Sequence, residues 1–249
     1  GKQLISEEWI DNAMGYTNPI APVDGLQYNF HWDHTGDIWA ARGMFGQTCG
    51  LVPSLDLVFA ITAADSRYVA MKLFQKEVID PVKAGKEPEI PDATAEEILK
   101  QKGLRMTLEG KNRSVKDHRE LPKDAVWTPE ENKDGITKIE LHVMDGDQMV
   151  YVMEDGRGRH QVTAGLDHWV DGVTTMTGAY LHHQYEQEES RISAIAYWTD
   201  EHVLIMEWRF PEMAFWDHVS LTWDGDTVKM DRWVNMNSQD VKRPTVYLK

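Results

Sequence analysis

Four histidines and one glutamate in the second half of the chain have side chains that could hold a metal ion. They are His160, His168, His182, His183 and Glu186. Imidazole and carboxylate groups are common zinc ligands, but adjacent residues on a strand point to opposite faces of a sheet. His182 and His183 therefore cannot easily share one ion. We expect solvated or hydrogen-bonded histidines here, with neither a metal site nor a cofactor site.

The serines are the second group of residues that could do chemistry, as nucleophiles in acyl transfer. A serine hydroxyl is a weak nucleophile until a neighbouring base takes its proton, and a Ser-x-x-Lys pair supplies such a base. None of the eight serines has lysine three positions on, and no Gly-x-Ser-x-Gly elbow is present. We therefore expect this chain alone to have no acyl-transfer activity.

Tryptophans are concentrated in the second part of the chain, where they could bind a ligand. Exposed indole rings can stack on sugars or apolar molecules. The alternation of these rings with Ile195, Leu204 and Met206 is instead typical of a packed sheet face. The packed face is the main expectation and the ligand platform the alternative. The seven rings are Trp127, Trp169, Trp198, Trp208, Trp216, Trp223 and Trp233.

Composition limits the partners of the chain. Lys and Arg total 26 against 41 for Asp and Glu, a net charge of −15, so nucleic acid is an unfavourable partner. No apolar run approaches the roughly 20 residues that cross a bilayer. The single cysteine, Cys49, cannot form an internal disulfide and indicates no compartment. The length of 249 residues fits one large or two modest domains.

The first third of the chain reads as a helix, three antiparallel strands and a closing helix. The first helix covers 6–14 and begins at Ser6, a good N-cap residue. The closing helix begins at Asp65 or Ser66 and ends at Pro81, because proline cannot continue the hydrogen-bond ladder. The predicted strands are 26–32, 39–42 and 48–61.

A change of pattern follows this first part, which we assign to residues 1–80. Residues 81–93 contain three prolines in a polar setting and are predicted to be a linker. Residues 94–249 show short strands separated by Asp-Gly pairs, which favour tight hairpin turns. This part is predicted to be an antiparallel β meander or a barrel-like domain. The pairs are Asp134-Gly135, Asp145-Gly146, Asp155-Gly156, Asp171-Gly172 and Asp224-Gly225.

Residues 36–62 carry a resemblance to a known family. A strand ends in Ala41-Arg42-Gly43, a Gly-Gln turn follows at 46–47, and the next strand contains Pro53 and Asp56. This order resembles the last part of the penicillin-binding, class C β-lactamase-like serine hydrolases. The chain is thereby identified as the C-terminal part of such a hydrolase with an appended β domain, and as an α+β fold overall.

The resemblance implies a role for two residues. Gly43 would let substrate approach the strand, and the backbone N–H of Met44 would donate to an oxyanion, a role worth about 3 kcal/mol per donor. Ala41 replaces the cationic or imidazole side chain of the family, which favours an esterase or peptidase over a β-lactamase. In the alternative interpretation, Gly43 and Gly46 only shape a turn.

Three hypotheses of function follow. In the first, a longer bacterial parent hydrolyses an ester, amide or peptide bond of a small-molecule or peptide substrate through an acyl-enzyme, and this fragment is inactive alone. Its partners would then be the missing N-terminal part of the same domain and a second copy of the chain. In the second, the chain is a non-catalytic β module that binds a carbohydrate or a lipid-like ligand. In the third, it is a complete pseudoenzyme.

Overall fold

The chain forms two compact units, unit 1 (Gly1–Asp92) and unit 2 (Ala93–Lys249). The predicted linker over 81–93 stays a prediction. The structure is a computed structural model, and it describes residues 3–14, 27–29, 32–65, 67–86, 97, 113–144, 147–176, 182, 188–237 and 240–249.

Unit 1 contains short helices and a five-stranded antiparallel sheet in which each strand pairs with the next along the chain. The predicted first helix is confirmed, because the Ser6 hydroxyl accepts a hydrogen bond from the Trp9 backbone N–H at 3.2 Å. The helices are α1 (Glu7–Ala13), α2 (Val69–Phe74) and α3 (Asp80–Lys83). The strands are β1 (Gln27–Asn29), β2 (Trp32–Thr35), β3 (Ile38–Arg42), β4 (Thr48–Val52) and β5 (Leu57–Ile61).

The closing helix does not end at Pro81, so that prediction is wrong. Helix α2 continues through a π-helical turn, Gln75–Ile79, into α3, where Pro81 lies in the first turn. Proline is tolerated there because the first N–H groups of a helix need no intrahelical partner. The helix begins at Val69 after the N-cap residue Tyr68, so the start predicted at Asp65 or Ser66 is also wrong. The Asp65 carboxylate nevertheless accepts hydrogen bonds from the backbone N–H groups of Val69 and Ala70.

Unit 2 is built on ten strands, and most strands pair antiparallel with their neighbours in sequence. The exception is a short parallel contact between β9 and β11. The strands are β6 (Asp124–Trp127), β7 (Lys138–Met144), β8 (Gln148–Asp155), β9 (Gly158–Leu166), β10 (Val170–Thr174), β11 (Ser190–Asp200), β12 (Val203–Arg209), β13 (Trp216–Asp224), β14 (Thr227–Val234) and β15 (Val246–Leu248).

The two edges of this sheet meet and bring it to a nearly closed barrel. The residues that follow β6 pair with the end of the chain: the Thr128 N–H donates to the Lys249 carbonyl at 2.9 Å, and the Lys249 N–H returns a bond to Thr128 at 3.2 Å. The Glu130 N–H adds a bond to the Tyr247 carbonyl at 2.8 Å. Closure removes exposed strand edges, and alternating side chains then face the interior.

The structure corrects two expectations about the fold. The α+β assignment is wrong, because strands make up 48% of the chain and helices 15%. The helices of unit 1 have 7, 6 and 4 residues, whereas β11 alone has 11. The turn predicted at Asp171-Gly172 is also wrong, since both residues lie inside β10 and pair with β11. The pair Asp145-Gly146 lies outside the described residues.

Candidate functional site

The barrel of unit 2 has two chemically different ends. Antiparallel order places the hairpin turns that follow β11 and β13 at one end, which we call the tryptophan end. There Trp198 and Trp223 lie 5.5 Å apart between ring centroids, and His118 stacks on Trp198 at 5.1 Å. The opposite end, where β8, β12 and β14 finish, we call the polar end. Buried charged and polar side chains enter the barrel at the polar end.

The barrel interior is lined mainly by methionine and aromatic side chains. Four methionines are at most 1% exposed, namely Met149, Met153, Met206 and Met230. Tyr151 and Trp208 stack with ring centroids 5.9 Å apart, and the Tyr151 hydroxyl donates to the Met230 sulfur at 3.1 Å. Burial raises the pKa of Tyr151. Methionine adapts its shape readily, so this lining can repack around an apolar guest.

The size of the barrel also bears on its use. Barrel diameter grows with strand number, and eight strands already give an interior that side chains can fill or that can hold one small ligand. Unit 2 uses ten strands. By this scaling, ten strands enclose a wider interior than eight. The interior is therefore the candidate site.

Arg232 brings a positive charge into this interior at the polar end. It shares a face of β14 with Met230 and Val234, and its Nη1 atom lies 3.5 Å from the Met153 sulfur. Its Nη2 atom pairs with the Asp134 carboxylate. Its Nε atom is buried and has no hydrogen-bond partner among the described residues. The guanidinium thus retains an unused donor inside an apolar barrel.

Asp134 joins Arg232 to a second arginine. The Nε atom of Arg243 donates to Asp134 Oδ1 at 2.9 Å, and the Asp134 side chain is only 5% exposed. Burial raises the pKa of Asp134, but the hydrogen bonds and charges of Arg243 and Arg232 outweigh burial and hold that pKa below its usual value. Two guanidinium groups therefore share one ionised carboxylate at the polar end.

His182 and Asp217 form a second buried polar group at the polar end. His182 Nε2 bonds to Asp217 Oδ1, and the Trp208 indole N–H donates to Asp217 Oδ2 at 3.1 Å. The His182 ring stacks on Phe215 at 4.4 Å and meets the edge of Phe210 at 5.0 Å. Both carboxylate oxygens are thus satisfied, so this group fixes the wall of the barrel.

The junction between β9 and β10 is held by side chains. Strand β10 forms its backbone ladder with β11, and the Thr174 hydroxyl reaches across to the Gln161 carbonyl at 2.6 Å. Beside it, His160 Nδ1 lies 2.9 Å from the Thr175 hydroxyl and His160 Nε2 lies 3.2 Å from Asp155 Oδ1.

The histidines singled out by the sequence lie in different places. His160 and His182 line the polar end of the barrel, whereas His168 bonds to the Leu166 carbonyl in the turn before β10. Among the described residues, no three His, Cys, Asp or Glu side chains are grouped so that they could hold a metal ion. His183 and Glu186 lie outside the described residues.

Gly43 and Met44 lie in unit 1, at the short 3-10 turn Met44–Gly46. The Gly43 N–H donates to the Gln47 carbonyl at 2.8 Å, and the Gly43 carbonyl accepts from the Tyr68 hydroxyl at 3.1 Å. Met44 is 62% exposed. The oxyanion role predicted for these two residues is not tested by this geometry and stays a prediction.

Sequence reasoning missed the arginine in the barrel, although a signal was present. Val228, Met230, Arg232 and Val234 alternate along β14 and share one face. A charged residue on an otherwise apolar strand face is costly to bury without a purpose or a partner. The same period-two pattern places Asp217 on the face of Val219 and Leu221 in β13.

Comparisons with known proteins gave matches among solved structures alone. No family model matches the chain, and no curated protein matches it. A Schistosoma mansoni fatty acid binding protein in complex with arachidonic acid is 16% identical, with a TM-score of 0.35 over 50% of this chain and 92% of that chain. Echinococcus granulosus fatty-acid-binding protein 1 is 12% identical, with a TM-score of 0.34 over 50% and 94%. At such TM-scores the likenesses say nothing about what this chain binds.

The identification as the C-terminal part of a β-lactamase-like serine hydrolase is wrong. The described fold is mostly β, with 48% strand and 15% helix, and no family model or curated protein supports a serine hydrolase. The glycines behind the resemblance have a local role: Gly46 has a φ of 91°, and a Cβ there would lie 2.8 Å from the Asp65 carbonyl oxygen. Among the described residues no helix is long and apolar enough to cross a membrane. The predicted homo-oligomer stays a prediction.

Proposed function

We propose that unit 2 is a non-catalytic binding module whose barrel holds an apolar small molecule with a carboxylate head group. The apolar part would pack among the interior methionines and the rings of Tyr151 and Trp208. The carboxylate would pair with Arg232 at the polar end. The observation that carries this proposal is the buried Nε atom of Arg232, which has no acceptor among the described residues.

The chemistry of Arg232 favours an acid over a neutral ligand. A buried donor without a partner costs about 1–3 kcal/mol, and a bound carboxylate would recover that cost. Guanidinium groups bind carboxylates through paired, charge-assisted hydrogen bonds. Asp134 neutralises the charge only in part, because Arg243 shares it. The Arg232 side chain is 15% exposed, so a head group at the polar end can reach it.

Replacing Arg232 with methionine tests this assignment. Charge-assisted hydrogen bonds contribute about 1.5–3 kcal/mol, so Arg232→Met should weaken palmitate binding about 10- to 100-fold. Binding of hexadecanol, which has the same chain without the carboxylate, should change by less than about twofold. Both affinities are measured with the full chain by displacement of the neutral dye Nile red.

Arg191→Met is the matched control, because Arg191 is 68% exposed on the outside of β11 and pairs with Glu212 at 2.6 Å. It removes the same charge from the chain and should leave both affinities unchanged. Two results would overturn the proposal: neither ligand displaces the dye, or the acid and the alcohol lose affinity equally in Arg232→Met.

A further inference from the structure

The outer face of β11–β14 carries aromatic and arginine side chains where an antiparallel sheet usually shows small polar groups to solvent. In the strand register, Arg209 lies opposite Trp216, and Glu207 lies opposite His218. On the other side of His218, the residue opposite it is Trp233 of β14. We call the group formed by Arg113, Trp169, Arg209 and Trp216 the outer arginine cluster. It lies on the opposite face of the sheet from the barrel interior.

Glu207 explains the position of Arg113 within this cluster. Its Oε1 atom accepts from Arg113 Nη1 at 3.3 Å, from His218 Nε2 at 3.2 Å and from the Tyr197 hydroxyl. Burial raises the pKa of Glu207, but the bonds from His218 and Tyr197 and the nearby charges outweigh it and leave the pKa lowered. This carboxylate is therefore ionised and engaged by its own neighbours.

Arg209 has no such partner. Its guanidinium carbon lies 5.2 Å from the ring centroid of Trp169 and 5.2 Å from that of Trp216. Among the described residues no carboxylate forms an ion pair with it, and its Nε atom is buried without an acceptor. In the strand register, Arg209 lies opposite Ser193, and Ser193 lies opposite Asp171. The Asp171 carboxylate bonds to the Ser193 hydroxyl. The two indole rings shield the guanidinium from solvent.

Trp169 adds a second unused donor, and a second cation lies against its ring. The indole N–H of Trp169 is buried and lacks an acceptor among the described residues. The guanidinium carbon of Arg113 lies 5.9 Å from the centroid of the same ring. Arginine and indole N–H groups are donors only, so Arg209 Nε and the Trp169 indole N–H both lack an acceptor within the described part of the chain. The carboxylates near this cluster are engaged by other groups: Glu207 pairs with Arg113, Asp167 accepts from the Arg113 and Ser114 backbone N–H groups, and Asp171 bonds to Ser193. Among the described residues, the Arg209 guanidinium is therefore left without a carboxylate partner.

We propose that the outer arginine cluster binds an oxyanion, the carboxylate or phosphate group of a small molecule, in the plane of the Arg209 guanidinium between Trp169 and Trp216. The flanking rings fix the guanidinium, so it loses little freedom when the anion binds. Partial burial strengthens charge-assisted hydrogen bonds to the anion. This site is independent of the barrel, because it uses other residues on the other face of the sheet.

Titration with inorganic phosphate and with benzoate tests the proposal and distinguishes the two oxyanions. At constant ionic strength, at least one of them should bind the full chain saturably, measured by calorimetry and by tryptophan emission. Arg209→Met should raise the Kd at least tenfold. Arg209→Lys keeps the charge but loses the planar fork, and should raise the Kd several-fold. Arg191→Met, on the outer face of the same sheet, should leave the Kd unchanged.

Other outcomes would overturn the proposal. These are the absence of saturable binding of either anion, an unchanged Kd in Arg209→Met, or equal losses in the Arg209 and Arg191 variants, which would indicate general charge screening. If Arg209→Met does not fold, as judged by its thermal melt, the decision rests on Arg209→Lys, whose Kd must rise. Arg232→Met should leave this Kd unchanged, which separates the cluster from the barrel.

Discussion

Replacing Trp208 with alanine should lower the free energy of unfolding of unit 2 by about 3–5 kcal/mol, the range found for large buried aromatic side chains. Trp208 is 1% exposed, stacks on Tyr151 and donates its indole N–H to Asp217. The substitution leaves a cavity in the barrel and deprives a buried carboxylate of one donor. Urea denaturation of the full chain, followed by near-ultraviolet circular dichroism, measures the loss.

Two further variants separate the causes of that loss. Trp208→Phe keeps most of the ring but removes the N–H, so it should cost about 1–3 kcal/mol, the cost of leaving a buried acceptor short of a partner. Val173→Ala removes an apolar side chain that is 54% exposed on β10, and should change stability by less than about 0.5 kcal/mol. A loss below about 1 kcal/mol for Trp208→Ala would contradict the close contacts of Trp208 with Tyr151 and Asp217.

Replacing Asp134 with asparagine should have an effect of similar size, about 3–5 kcal/mol, because breaking a buried ion pair leaves an uncompensated charge. Here the substitution leaves two guanidinium groups, those of Arg232 and Arg243, at a neutral amide. The measurement is again the free energy of unfolding in urea at neutral pH. Asp226→Asn, an exposed carboxylate in the turn between β13 and β14, is the control and should have little effect.

The same variant predicts a pH dependence. The pKa of Asp134 is lowered in the folded chain from its usual value of 3.8. A lowered folded-state pKa means that the carboxylate stabilises the fold above pH 3.8, and that this contribution disappears as the pH falls through the folded-state value. The stability difference between the wild type and Asp134→Asn should therefore shrink below that pH. A difference that stayed constant into strong acid would show that Asp134 is not ionised in the fold.

Local structure in this chain could be predicted where one short-range effect dominates. The cap at Ser6 and the hairpin at Asp224-Gly225 follow from side-chain hydrogen bonding and from the positive φ of a tight turn, and Gly225 has a φ of 62°. Asp171-Gly172 carries the same turn signal but lies in a strand. There the ladder with β11 outweighs the local preference of the pair.

The candidate site could be predicted only in part. Alternation along β14 could reveal Arg232 on an apolar face, but its partner Asp134 lies 98 residues away in sequence. Closure of the barrel depends on Thr128 and Lys249, which are distant in the chain and have no distinctive pattern. The hydrolase resemblance rested on glycines and a turn, and such features recur wherever strands approach closely. Barrel closure and the buried ion pair therefore depend on contacts between distant segments, which local sequence patterns do not predict.

The most direct test of the binding proposal follows the methionine methyl groups by nuclear magnetic resonance while palmitate is added. If the ligand enters the barrel, the methyl resonances of the buried Met149, Met153, Met206 and Met230 should shift saturably. Those of Met44 and Met144, which are 62% and 51% exposed, should not shift. Shifts confined to the exposed methionines, or none at all, would contradict ligand binding inside the barrel.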